Sequence, residues 1–282
     1  MLAIESYGDV TRLRFSTPVT RALGYEVSAY FTRGVLLDTG FPMVARELAA
    51  WLDNARPEGV VVTHHHEDHA GNLELIARGG LPVAAADATL RAARELGPLG
   101  LYRRVCWGAP PAFRSAVSRF DADGLRLMPT PGHSADHHVV WDAERETLFA
   151  GDLFLGVKVR VAQDAEVVAE LVRSLRTAIA LAPKRMFCAH RGMVHDPVNA
   201  LRAKADWLEG LISDAARLSS EGIPDDVITR RLLGREGLTS IFSRGKLSKA
   251  NLVRSALRSR EEESRKQAVG GVRRLGCRRR SP

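Results

Sequence analysis

The run Thr63-His64-His65-His66-Glu67-Asp68-His69 constrains this chain more than any other feature, because four of its nine histidines fall within six positions. Immediately before it, Gly59-Val60-Val61-Val62 is a short, β-branched stretch of the kind that forms a buried strand. His64 and His66 then alternate on one side of an extended segment, where both imidazoles can reach one ion. Asp68 and His69 follow as the chain turns into a helix, and can face a neighbouring ion. Neutral imidazole and carboxylate are ligands that Zn²⁺ accepts at about 2.0–2.2 Å. A tag-like histidine loop would lack both the flanking elements and the interleaved carboxylate.

Four ligands cannot complete two coordination spheres, so more are expected at other strand ends. Three are present. His133 lies in Thr130-Pro131-Gly132-His133-Ser134 after a strand expected at Leu125–Met128. Asp152 lies in Ala150-Gly151-Asp152 after Thr147–Ala150, and His190 ends the strand Arg185–Ala189. Loops at the ends of rigid strands are where a scaffold presents side chains to a shared rim.

Further strands are expected at Leu23–Phe31, Gly34–Leu37, Pro82–Ala86 and His138–Trp141, and helices at Pro42–Leu52, Ala70–Ala77, Ala88–Leu96 and Val167–Leu181. Gly97 to Ser118, with Tyr102, Arg103, Arg104 and Trp107, reads either as a loop covering a pocket or as an ordinary surface connection. After Pro197 the pattern is wholly helical. Leu201, Ala205, Leu208, Leu211, Ala215 and Leu218 form one apolar stripe, Pro224-Asp225-Asp226 opens a second helix that Gly234 closes, and Ser248 caps a third.

The set Asp38 in Leu-Leu-Asp-Thr-Gly, the histidine run, Pro131-Gly132-His133, Gly151-Asp152 and the late His190 resembles the metallo-β-lactamase superfamily, in the family order, over roughly residues 20–195. The resemblance implies an α+β fold, a four-layer αββα sandwich, here with a C-terminal helical extension. With the helical pattern after Pro197 and the basic end, the chain then divides into a catalytic domain over 1–197, a helical subdomain over 198–258 and a tail over 259–282. By the family pattern His64, His66 and His133 hold one divalent metal. Asp68, His69 and His190 hold a second, with Asp152 bridging and Asp38 supporting the site from behind. Zn is the expected ion, with Mn or Fe as alternatives.

Two cations sharing a water stabilise its hydroxide form, and Asp68 is the acceptor that orients it or takes its proton. The implied function is therefore metal-dependent hydrolysis of a small carbonyl compound: a thioester, lactone or ester. Phosphodiester or RNA cleavage on the same site is the alternative, and a non-catalytic metal-binding module the third reading. Thr63-His-His-His-Glu-Asp-His-Ala-Gly-Asn72 is similar to glyoxalase II enzymes, and Thr130–Gly156 to single-domain lactamase-like hydrolases. Many relatives carry Pro-Gly-His-Gly at the last ligand, whereas this chain has Cys188-Ala189-His190-Arg191. Arg191, His137, Tyr102 and Trp107 are the candidate substrate-binding residues.

Composition narrows the partners. The net charge of +8 is concentrated after position 257, where nine Lys/Arg face three Glu, which leaves only +2 on the body. That tail has little to bury and is expected to be disordered. It admits a salt-sensitive nucleic-acid contact, but a small molecule is the favoured partner. Three dispersed cysteines and no apolar run of membrane length point to a reducing, cytoplasmic setting, away from membranes. Phosphate-binding glycine loops are absent, which disfavours nucleotide cofactors. The oligomeric state stays open.

Overall fold

The computed structural model describes residues 1–258, so the basic tail lies outside the described residues. Residues 2–15 carry only Glu5, Asp9, Arg12 and Arg14 as charged side chains among apolar and small ones, and they build a hairpin. Its strands β1 (Leu2–Tyr7) and β2 (Val10–Phe15) turn on Gly8-Asp9 and were passed over in the sequence reading. After the short helix α1 (Pro18–Ala22), β3 (Val27–Thr32) and β4 (Val35–Leu37) continue the sheet antiparallel. β5 (Gly59–Val61) and β6 (Val83–Ala84) join it parallel, giving the order β1-β2-β3-β4-β5-β6.

A second sheet has the order β12-β11-β9-β8-β7. It comprises β7 (Leu125–Pro129), β8 (His138–Asp142), β9 (Thr147–Phe149), β11 (Arg185–Cys188) and β12 (Gly192–Val194). Two-residue strands β10 (Ala162–Gln163) and β13 (Leu247–Ser248) pair separately.

Side-chain parity shows how the layers stack. In β4, Val35 and Leu37 join Phe149 and Phe187 of the second sheet in a core between the sheets, while Leu36 points to the other face. β8 repeats the pattern, with Val140 inward and Val139 and Trp141 outward. Both faces are buried because helices cover the outside, which explains why these strands read as continuous apolar runs.

On the first sheet's outer face lie α2 (Ala45–Ala55), α3 (Leu73–Arg78) and α4 (Asp87–Arg94), through Leu48, Leu73, Ile76 and Leu90. On the second sheet's outer face lie α6 (Val168–Ala180) and α7 (Pro197–Ser220), through Leu171, Leu175, Leu201 and Ala205. The four-layer αββα sandwich is the observed architecture, with helices appended at the C-terminal end.

One expectation is corrected. The segment 97–118 contains a helix, α5 (Leu101–Trp107), which Gly108 stops at a φ of 89°. Gly97, Pro98 and Gly100 before it and Pro110-Pro111 after it hide so short a helix among breakers. The C-terminal helices are tied closely to the sandwich. α7 shares one apolar cluster with α6 and the second sheet, and that cluster also holds Ile228 of α8 (Asp225–Leu233). Beyond the short α9 (Leu238–Phe242), β13 pairs with β10. Ser248 accepts the Asn251 N–H at 3.2 Å and caps the helix described over 249–258. Among the described residues no helix is long and apolar enough to cross a membrane.

Candidate metal centre

Strand β5 delivers the histidine run to the open edge between the two sheets, and Asp38 fixes its course. Asp38 follows β4 in the left-handed region at a φ of 63°, a conformation costly for a non-glycine residue unless its surroundings enforce it. Here they do. Its N–H donates to the Val61 carbonyl at 2.8 Å, and its carboxylate accepts from the Thr63 N–H at 2.8 Å and the Thr63 hydroxyl at 3.0 Å. The other oxygen stands 2.7 Å from His69 Nδ1. One strained residue thus sets the strand exit and orients an imidazole.

The expected side chains converge in two groups. His64, His66, His133 and Asp152 form the first, and Asp68, His69, Asp152 and His190 the second; in each, the candidate ligand atoms lie within 4.8 Å of one another. Asp152 belongs to both. Its Oδ2 stands 3.2 Å from His133 Nε2, and its Oδ1 stands 3.2 Å from His190 Nε2 and 3.3 Å from His69 Nε2.

Two loops need glycine to bring these groups in. Gly132 has a φ of 134° and lies so close to α6 that a Cβ would meet the Leu171 nitrogen at 2.3 Å. Gly151 has a φ of 48°, and a Cβ there would crowd His137 Nε2 at 2.8 Å.

The nitrogens facing away from the cluster are occupied. His64 Nδ1 lies 3.0 Å from the Thr63 hydroxyl, and His190 Nδ1 donates to the Glu26 carbonyl at 2.6 Å. His133 Nδ1 faces Glu166 at 3.7 Å. Such outer partners fix which nitrogen is presented inward. Inside, His64 Nε2 and His133 Nε2 approach His66 Nδ1 at 3.1 and 3.0 Å. His69 Nε2 and Asp152 Oδ1 are buried without a hydrogen bond, their 3.3 Å contact being poorly aligned. Buried polar atoms usually have partners, and lone pairs converging from imidazole and carboxylate fit a divalent cation.

Electrostatics agree with that donor set. Burial, and then the neighbouring histidines, hold His64 and His66 well below the usual imidazole range, so both keep the neutral form that a metal ligand needs. Burial opposes a charge on His69 and His190, yet Asp152 chiefly, with Asp68, outweighs it and draws positive charge to both. Asp68 stays ionised despite its burial, because His69 and His190 stand beside it.

The remaining candidates separate. Tyr102 and Trp107, both on α5, line a small cavity of about 100 Å³ with His66, Asp68 and Asp152. Arg191 lies at a larger cavity of about 350 Å³ beside His133, Asp152 and His190, and its Nε donates to the Leu155 carbonyl at 3.1 Å. His137 lies behind the site instead. Its Nε2 accepts the Asp152 N–H at 3.0 Å, its Nδ1 faces Thr130, and burial pushes its pKa down to about 3. Both ring nitrogens are spent on holding the Asp152 loop, which corrects its expected place among the substrate-binding residues.

His65 turns from the cluster to Asp136, and buried Glu67 pairs with Arg103. Asp136, Glu166 and Lys204 were missed in the sequence reading. For Lys204 a signal existed: it stands in the α7 stripe between Leu201 and Ala205, where a lysine is out of place.

Known proteins resemble this chain in both sequence and fold. A family model described as the metallo-beta-lactamase superfamily matches residues 27–190. The chain is 28% identical over 207 residues to a beta-lactamase-like protein 2 homolog of Caenorhabditis elegans, covering 66% of this chain and 65% of that one. It is 30% identical over 191 residues to a hydroxyacylglutathione hydrolase of Methylococcus capsulatus, covering 63% and 68%. Among solved structures, a metallo-beta-lactamase family protein from Thermus thermophilus aligns with a TM-score of 0.64 at 18% identity, over 91% of this chain and 94% of that one.

Proposed function

The chain belongs to the metallo-β-lactamase superfamily, and we propose that it is a binuclear metal-dependent hydrolase of small carbonyl substrates, thioesters foremost. The observation that carries this reading is Asp152, which offers one carboxylate oxygen to each of the two ligand groups. In this reading His64, His66 and His133 would hold one ion and Asp68, His69 and His190 the other, with Asp152 shared by both groups. Divalent ions so held, Zn foremost, would supply a water nucleophile near neutral pH and would polarise the oxygen of a substrate carbonyl.

The protein's own groups do the rest. Asp68, ionised and 3.4 Å from His190 Nε2, is the acceptor for the proton of the attacking water. Asp38, Thr63 and Glu166 keep the imidazoles aimed. The apolar part of the larger cavity, with Leu155, Val161, Leu171 and Trp207, suits an acyl chain better than a polyanionic nucleic-acid backbone. The relative named as a hydroxyacylglutathione hydrolase supports a thioester in particular.

The test is a panel of acyl thioesters, lactones, phosphodiesters and single-stranded RNA, run with elemental analysis of the purified protein. About two metals per chain and turnover of carbonyl substrates alone are expected. A folded protein that binds no metal, or one that cleaves only RNA, would overturn the reading.

A further inference from the structure

The larger cavity contains a charge that the hydrolytic machinery does not use. Lys204 sits at a core position of α7, 3% exposed, flanked in the stripe by Leu201 and Leu208, both buried. Its ammonium donates to the Leu153 carbonyl at 2.8 Å, one residue beyond Asp152, and stands 5.8 Å from the Phe154 ring centre. Among the described residues it forms no ion pair within 4.0 Å. A buried ammonium is costly unless paired and hydrogen-bonded, and a lysine has three donors. A Leu or Met would serve the α7 core better, so the fold alone does not account for this residue.

Its place does. Lys204 lines the cavity of about 350 Å³ whose wall also includes His133, Asp152 and His190 of the metal centre. The nearby carboxylate, Glu166, is already engaged by the Gln163 N–H at 2.9 Å and faces His133. At the same cavity, the exposed Lys158 and Arg191 add positive charge. The last helix holds this wall in place: Ser255 accepts the Val168 N–H at 3.0 Å and donates to the Glu166 carbonyl at 2.7 Å.

We propose that Lys204 is an anion anchor, binding a carboxylate on the acyl part of the substrate while the scissile carbonyl lies at the metal centre. The substrate class is then an acyl thioester or ester whose mainly apolar acyl group bears a free carboxylate. This inference rests on the hydrolytic reading above.

Two matched substrates test it on the metal-loaded protein: a thioester with a terminal carboxylate on its acyl chain, and the same compound as the neutral methyl ester. Wild type should favour the carboxylate by about tenfold or more in kcat/KM, the scale of one charged hydrogen bond. Lys204→Met should lose that preference through a raised KM while hydrolysing the neutral compound as before. Equal losses on both substrates would mean a merely structural lysine, and no change on either would also overturn the anchor.

Calorimetric binding of hexanoate, which has no scissile bond, separates the two claims. Binding that is weaker by about tenfold or more in Lys204→Met, with no hydrolysis of any carbonyl compound, would sink only the reaction. Hydrolysis with equal hexanoate binding in both proteins would sink only the anchor.

Discussion

The rim that carries the histidine run and the cavity wall built by α6, α7 and the last helix meet at Asp152, but they are made on opposite principles. On the rim, polar groups are packed so that His64, His69 and His190 each have a second partner, from Asp38 behind His69 to the Glu26 carbonyl behind His190. On the wall, apolar side chains and Glu166 surround the Lys204 ammonium, which makes one hydrogen bond. The rim has the donors that coordination of ions would demand, fixed on several sides. In the proposed reading the wall receives a molecule, for which some of its polar capacity stays unspent. That contrast predicts that rim substitutions act on every substrate alike, and wall substitutions act according to what the substrate carries.

The sharpest way to break the contrast is Asp152→Ala. Because one oxygen faces each ligand group, its loss should weaken both ions and lower turnover by about 10³-fold or more on every carbonyl substrate, the equivalent of several kcal/mol. Metal content measured after dialysis should fall in parallel. Retention of both metals with a loss confined to carboxylate-bearing substrates would erase the distinction between rim and wall.

Asp38→Asn probes the rim at one remove. Asparagine tolerates the left-handed backbone that Asp38 adopts, so the strand exit should survive. What changes is the charge facing His69 Nδ1. A drop of about 10–100-fold in metal affinity, read by competition with a chelator, is the expected scale for a partner behind a ligand. Unaltered affinity would show that Asp38 serves the backbone alone.

The two regions also differed in how far the sequence disclosed them. Ligands must lie close together around an ion, so short-range spacing carried the signal. His64, His66, Asp68 and His69 come from one strand exit, and His133, Asp152 and His190 each end a recognisable strand. The β-branched runs likewise announced a β-rich core, because strands buried on both faces cannot hide their composition, whereas the sandwich itself came from the family resemblance.

The hairpin β1–β2 escaped because its scattered charges resemble a solvated segment. The helix α5 escaped because glycines and prolines crowd it. His137 misled, since a histidine near two ligands looks like part of the site until its hydrogen bonds are seen. The cavity wall was the least legible part. Leu155, Glu166, Lys204 and Leu252 are distant in sequence, and nothing local requires any of them to meet.

The finest test of the contrast is pH. Burial pushes the Lys204 amine down to about 8, against the opposing pull of Glu166, Cys188 and Asp152, the titratable groups that face it. An amine charged below that pH and neutral above it should anchor a carboxylate only on the acid side. KM for a carboxylate-bearing acyl thioester should therefore rise by about tenfold per unit once the pH passes 8, with the neutral analogue flat over the same range. Arginine does not deprotonate in this range, so Lys204→Arg should keep the anchor and lose the inflection.

Stability carries the same signature with the sign reversed. The folded pKa lies below that of the unfolded chain, so the unfolded state holds more protons between the two, and this residue makes the protein more stable as pH rises through that window. Lys204→Met removes that slope in denaturant titrations. An inflection in KM that persists in Lys204→Arg would assign the titration to the rim instead, and the wall would lose its separate role.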